Sequence, residues 1–281
     1  MASGKPGAVH SAYAEDTKGG AMSKYFIRSQ LVRDAGLFLL QKVALFRRSR
    51  GSTAILVNSL PKAGTHLVTA TLGGHKDLIH SRIHIELEEV STTNEWPATL
   101  HFEPDLQRLD RRLHQIRPGF FGSSHLPWRH ELSEHLLSKN IRVIYIVRNS
   151  EARLRSQVHY ITELKRLSHH KQLTEYADFE ARLSALRAGM PRIDPAHPGL
   201  APAGLIEEEF AGWETDSSEN ILIVHFEDLV GVRGGGDDSR RIEAIRDILK
   251  HCELPHSMND AEELHSVTLN RKSATYRAGT I

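Results

Sequence analysis

Residues 54–67 read "AILVNSLPKAGTHL". An apolar, partly β-branched run ends in a short turn carrying a lysine and a glycine, and a helical pattern follows. Such a run is typical of a strand covered on both faces, as in parallel sheets. In a strand-to-helix turn, backbone N–H groups and the positive helix end converge on one point and favour an anion there. The NTPase phosphate loop places its lysine after its last glycine. Here Lys62 precedes Gly64 by two residues, and the loop's first glycine is absent. The turn therefore reads as an anion grip of another kind. Gly64 allows close backbone approach, Lys62 adds a full charge, and Thr65 and His66 add donors.

Two further runs, "IRVIYIV" (141–147) and "NILIVHF" (220–226), have the same character, and "GFFGSS" (119–124) is a weaker one. Helical patterns lie between them at 65–73, 129–139, 150–167, 174–188 and 241–250. Strands alternating with helices predict an α/β fold with a doubly wound parallel sheet. In such sheets ligands bind beyond the carboxyl ends of the strands. "GMPRIDPAHPGLAPAG" (189–204) holds four prolines and reads as an irregular loop.

The 281 residues carry 36 basic and 35 acidic side chains, a formal net charge of +1. That balance argues against a nucleic-acid-coating protein, so any anion site must be local. One cysteine, Cys252, excludes an internal disulfide and a cysteine-based zinc cluster. His80 and His84 have a spacing that suits a metal on a helix, but no third ligand is evident nearby, and a metal-free reading is preferred. Residues 1–26 are small and polar without an apolar leader run and read as a disordered tail, while 27–50 read as an amphipathic helix and hinge. The apolar part of that helix is too short to cross a bilayer. The expectation is a cytoplasmic protein whose main domain spans 51–281.

After the 141–147 run comes "VRNSEARLRSQVHY" (147–160). Arg148 closes a buried strand, where a charge needs a partner or ligand. Asn149 or Ser150 can cap the next helix, and Ser156 lies two turns along it. A guanidinium with a hydroxyl forms a second phosphate grip. A salt bridge from Arg148 to Glu151 or Asp228 is the structural alternative.

These two loops together resemble the sulfotransferases that use 3′-phosphoadenosine 5′-phosphosulfate (PAPS). "PKAGT" (61–65) matches the family's P-K-[SA]-G-T loop, and "RNSEARLRS" (148–156) keeps the arginine and serine of its R-N-P-x-D-x-x-x-S segment. The resemblance implies a single-domain, P-loop NTPase-like parallel sheet flanked by helices. It implies that Lys62, Ala63, Gly64, Thr65 and His66 hold the phosphosulfate, and Arg148 and Ser156 the 3′-phosphate. "GFFGSSHLPW" (119–128) looks like the family's K-T-H-L-P stretch: His125 falls on the catalytic base, and Ser123 replaces the lysine. "VHFEDLVG" (224–231) is similar to the Y-E-D-L segment, with Phe226 in the tyrosine's place near the adenine; Glu227 and Asp228 read as structural. "YRAGTI" (276–281) looks like the first half of the closing loop, which implies that Arg277 and Gly279 reach the donor. The second half of that motif does not follow, so weak donor affinity and low activity are expected.

The chemistry implied is in-line sulfuryl transfer with His125 as base and Lys62 at the leaving phosphate, without a metal. The acceptor is a hydroxyl, or an amine, on a small molecule, carbohydrate or lipid; 80–89 and 189–204 are candidates to line its pocket. Two other readings stand beside this one: a catalytically impaired nucleotide-binding relative, and a P-loop nucleotide kinase.

Overall fold

The structure is a computed structural model, and it describes residues 53–194 and 197–268. The tail, the 27–50 helix, Arg277 and Gly279 lie outside the described residues. Five parallel strands, β1 (Ala54–Ser59), β2 (Ile79–Ile85), β3 (Phe120–Ser124), β4 (Ile141–Val147) and β5 (Ile221–His225), form one sheet in the order β2-β3-β1-β4-β5. The described residues thus form the expected α/β architecture, a parallel sheet flanked by helices. β1 sits at the centre, and every one of its residues is buried, as its unbroken apolar run demands.

Around the sheet lie α1 (Thr65–Leu72), α2 (Leu106–Leu113), α3 (His130–Ser138), α4 (Ser150–Glu163), α5 (His170–Thr174), α6 (Phe179–Ala188), α7 (Ala203–Thr215), α8 (Phe226–Leu229), α9 (Asp238–His251) and α10 (Met258–Thr268). One core joins Ile55, Val57, Phe121, Ile144 and Ile146 of the sheet to Val68 and Leu72 of α1, Ile245 and Ile248 of α9 and Leu264 of α10. A second joins Leu154 and Val158 of α4 to Leu173, Leu183 and Leu186 of α5 and α6.

Several elements differ from the sequence reading. His80 and His84 lie on a strand: β2 is half-exposed, with Ser81, Ile83 and Ile85 buried and His80 and Arg82 facing out. The predicted 150–167 helix stops at Glu163, and the 174–188 helix starts only at Phe179, where the Asp178 side chain accepts the Ala181 N–H at 2.8 Å. Capping overrode the apolar spacing there. The 189–204 loop ends early, because α7 begins at Ala203.

Register decides where the site falls. Asn58 stands level with Ser124 and Tyr145, and Ser59 with Ile146. Val147 is level with His225, and His84 with Ser123. The residues that follow, Lys62–Thr65, His125, Arg148 and Phe226, therefore leave the sheet along one edge.

Candidate active site

The β1–α1 turn closes on itself: the Ala63 N–H donates to the Leu60 carbonyl at 3.1 Å, and the Ala63 side chain is buried. Gly64 caps α1 with φ 125°, a conformation that L side chains rarely adopt. A Cβ there would also lie 2.6 Å from Phe226 Cδ2. No side chain among the described residues caps α1; the Leu67 N–H donates to the Gly64 carbonyl at 2.8 Å, and the N–H groups of Thr65 and His66 face the helix start. Thr65 is buried, with its hydroxyl 2.6 Å from that of Ser59. Lys62 has φ 70°, and its Nζ lies 3.9 Å from the centre of the Tyr160 ring.

Arg148 reaches the same turn from β4. Its guanidinium donates to the Lys62 carbonyl at 3.0 Å and lies 4.1 Å from the centre of the Phe226 ring. Its Nε is buried and has no hydrogen-bond partner. Neither carboxylate of the structural alternative takes it: Glu151 pairs with Arg155 at 2.8 Å and with Arg187, and Asp228 faces Arg240 at 3.6 Å. Asn149 caps α4, accepting the Ala152 N–H at 3.0 Å, while its own N–H donates to Glu227. Glu227 thus holds the loop after β4, a structural role. Ser156 lies four residues before Tyr160 and so on the α4 face that Lys62 meets.

His125 follows β3. Its Nδ1 lies 2.7 Å from the Ser59 carbonyl, which can only accept, so Nδ1 carries the proton and Nε2 keeps its lone pair. Burial pushes the imidazole down to about 4, with His84, His66 and Lys62 adding to the effect and the Ser59 carbonyl opposing it. The ring is thus neutral at pH 7. Behind it, the buried Asn58 side chain accepts from the Ser124 hydroxyl (2.8 Å) and the Leu126 N–H (2.9 Å) and donates to the Leu126 carbonyl (2.9 Å). Trp213 donates to that carbonyl as well, at 3.0 Å.

On the other side of His125 stands His84, the two ring centres 4.9 Å apart and edge to face. His84 Nδ1 lies 3.0 Å from the hydroxyl of Ser123. Burial also holds His84 below the ordinary imidazole range. His66, in the first turn of α1, shows an edge to solvent. Desolvation by its surroundings, then Lys62 and His84, lower it as well. His80 points elsewhere, stacked on Phe121 at 4.8 Å. Among the described residues no group of histidines, cysteines and carboxylates could hold a metal ion.

The structure therefore gathers Lys62, Gly64, Thr65, Arg148, Phe226 and His125 around one end of the sheet. Sequence reasoning missed Tyr160, Asn58 and the contact of His84 with His125. Tyr160 was findable, four residues past Ser156 on one helix face. The pairing of Asn58 with Leu126 has no signal along the chain.

The family model for the sulfotransferase domain matches residues 52–268. The chain belongs to that family. No curated protein matches it in sequence. Among solved structures it is similar to a mouse sulfotransferase complexed with PAP, at 16% identity and a TM-score of 0.49, covering 78% of this chain and 65% of that one. It is also similar to retinol dehydratase in complex with androsterone and the inactive cofactor PAP, at 15% identity and a TM-score of 0.45, covering 76% of this chain and 63% of that one. A sulfotransferase from Mycobacterium avium is similar at 12% identity and a TM-score of 0.39, covering 85% of this chain and 71% of that one. The chain thus spans less than two thirds of the first two.

Proposed function

We propose that this protein transfers the sulfuryl group of PAPS to a hydroxyl or amine of a small-molecule, carbohydrate or lipid acceptor, with His125 as general base. The observation that carries the reading is the tautomer of His125. Its Nδ1–H is fixed on the Ser59 carbonyl, so Nε2 keeps its lone pair, on a ring that stands at the sheet edge from which the Lys62–Gly64 turn and Arg148 also emerge. A general base needs such a lone pair within reach of the proton it removes.

The residues fit the donor chemically. The α1 N-terminus, Gly64 and Thr65 offer donors to the 5′-phosphosulfate. Arg148, with an unpartnered buried Nε, offers a fork to the 3′-phosphate, and Ser156 a hydroxyl. Phe226 gives the adenine an apolar face, already shared with Arg148. Arg277 and Gly279 belong to this proposal as a closing segment. The donor supplies an activated S–O bond. Lys62 offsets the charge that grows on the leaving phosphate oxygen, while His125 takes the acceptor's proton. No step in this scheme calls for a metal.

A thermal-shift comparison tests the reading. PAP, the 3′,5′-adenosine bisphosphate, is expected to raise the unfolding temperature, and ATP with Mg²⁺ to leave it unchanged. Stabilisation by ATP–Mg²⁺ alone would sink the proposal in favour of a kinase. Binding of PAP without turnover on phenol, polyol and amine acceptors would point to an inactive relative.

A further inference from the structure

Two imidazoles stand edge to face at the end of β3, and the mechanism above uses one. His84 is held by Ser123 at 3.0 Å through Nδ1. Every element packed around it contributes a polar group. Beyond β2 comes Glu86, whose Oε1 is 3.9 Å from His84 Nε2. From the following turn comes Glu89, and from α2 Arg112, but these two pair with each other at 3.1 Å, and Arg112 also donates to the His84 carbonyl. From α1 comes His66, and from the loop after β3 comes His125. His84 thus has one neutral hydrogen-bond partner, the exposed Glu86 carboxylate at 3.9 Å, and the Arg112-paired Glu89 acting on it from beyond contact.

Rings 4.9 Å apart do not both carry charge without mutual repulsion. His125 already donates from Nδ1 to Ser59 and sits deeper. A proton added to the pair therefore goes to His84, and an anion beside the two rings supplies the reason to add it. Resting on the sulfotransferase reading, we propose that His84 is the second cation of the site: it takes a proton from solvent as the donor's sulfonate enters and faces that sulfonate through transfer. The acceptor oxygen bonds to sulfur as its proton passes to His125 Nε2. The S–O bond to the phosphate breaks, and its electron pair stays on the phosphate oxygen facing Lys62. Both rings are then charged, and their repulsion returns one proton to solvent as the sulfated product leaves.

The test needs no acceptor. In the histidine-labelled full chain, the His84 imidazole signal, assigned through His84→Gln, is titrated free, with PAP and with PAPS. PAPS is expected to raise its midpoint by about 1–3 pH units, the effect of a close opposite charge, and PAP to raise it less. By calorimetry, His84→Gln should weaken PAPS about tenfold, the worth of one charge-assisted contact, and weaken PAP distinctly less. His84→Lys should restore the preference for PAPS. If PAPS and PAP weaken equally in His84→Gln, or the His84 midpoint ignores PAPS while the Gly64 and Thr65 amides respond, the inference is overturned and the proposed function stands. If those amides respond to neither nucleotide, the proposed function falls, and this inference with it.

Discussion

The two ends of the sheet use polar groups in opposite ways. At the amino end of β4 and β5, Arg142 pairs with Glu253 at 2.5 Å and donates to the Glu219 carbonyl, and Asn220 donates to the Ile141 carbonyl. His251 lies 3.0 Å from the Val143 carbonyl. At the carboxyl end, Arg148 and His125 rest on backbone carbonyls and ring faces, with no carboxylate within ion-pair distance among the described residues. A part-buried cation whose nearest acting carboxylate, Glu227, lies beyond ion-pair contact is costly, and an anionic ligand in contact with it offsets that cost. Yet burial pushes both His125 and His251 down to about 4. A depressed imidazole therefore does not by itself mark function. What separates the two is company: a strand-to-helix turn with Lys62 and a second imidazole at one end, the Arg142–Glu253 ion pair at the other.

That contrast breaks most visibly at His125. His125→Ala should lower turnover roughly 10²–10⁴-fold, the usual worth of a general base, with PAP affinity nearly intact by calorimetry. Equal loss of rate and binding would make His125 as structural as His251.

A smaller effect is expected at Arg148. Arg148→Ala should weaken PAP roughly tenfold or more, since a charge-assisted contact is worth about 1.5–3 kcal/mol. Binding of the analogue without the 3′-phosphate should hardly change. If both weaken alike, Arg148 supports the turn through the Lys62 carbonyl and does not read the phosphate.

The smallest effect concerns stability at the amino end. His251 is neutral in the fold and held near 4, against 6.5 when unfolded. Between those values the unfolded chain binds the extra proton, so stability is full above about 6.5 and falls as pH drops toward 4. His251→Gln keeps a donor for the Val143 carbonyl and removes this dependence. It should recover at most about 2 kcal/mol of the stability lost between pH 6.5 and 5, a few degrees in the unfolding midpoint, with PAP affinity unchanged. An unaltered pH dependence of the midpoint would leave His251 without this role.

Much of the molecule was legible along the chain. β4 falls on its predicted bounds and β1 on the apolar run that opens at Ala54, because strands buried on both faces are unbroken apolar runs. β2 was not read as a strand, although Ser81, Ile83 and Ile85 alternate with outward residues. A serine in a buried slot and two histidines masked the period. α2 also carried a signal, an Asp105 cap ahead of Leu106, Leu109 and Leu113.

The sequence by itself determined the sheet's central strands, the strand-to-helix turn at Lys62–Thr65 and the place of His125 directly after β3. Each depends on contacts within a few residues: an apolar run, a positive-φ glycine at a helix start, a histidine directly after a strand. Tertiary structure alone decided the tautomer of His125, the seat of Lys62 on Tyr160, the stacking of Arg148 on Phe226 and the pairing of His84 with Ser123. These contacts join residues 39 to 98 positions apart. Strand register brings them together, and register follows from burying whole faces of the sheet, which no single segment encodes.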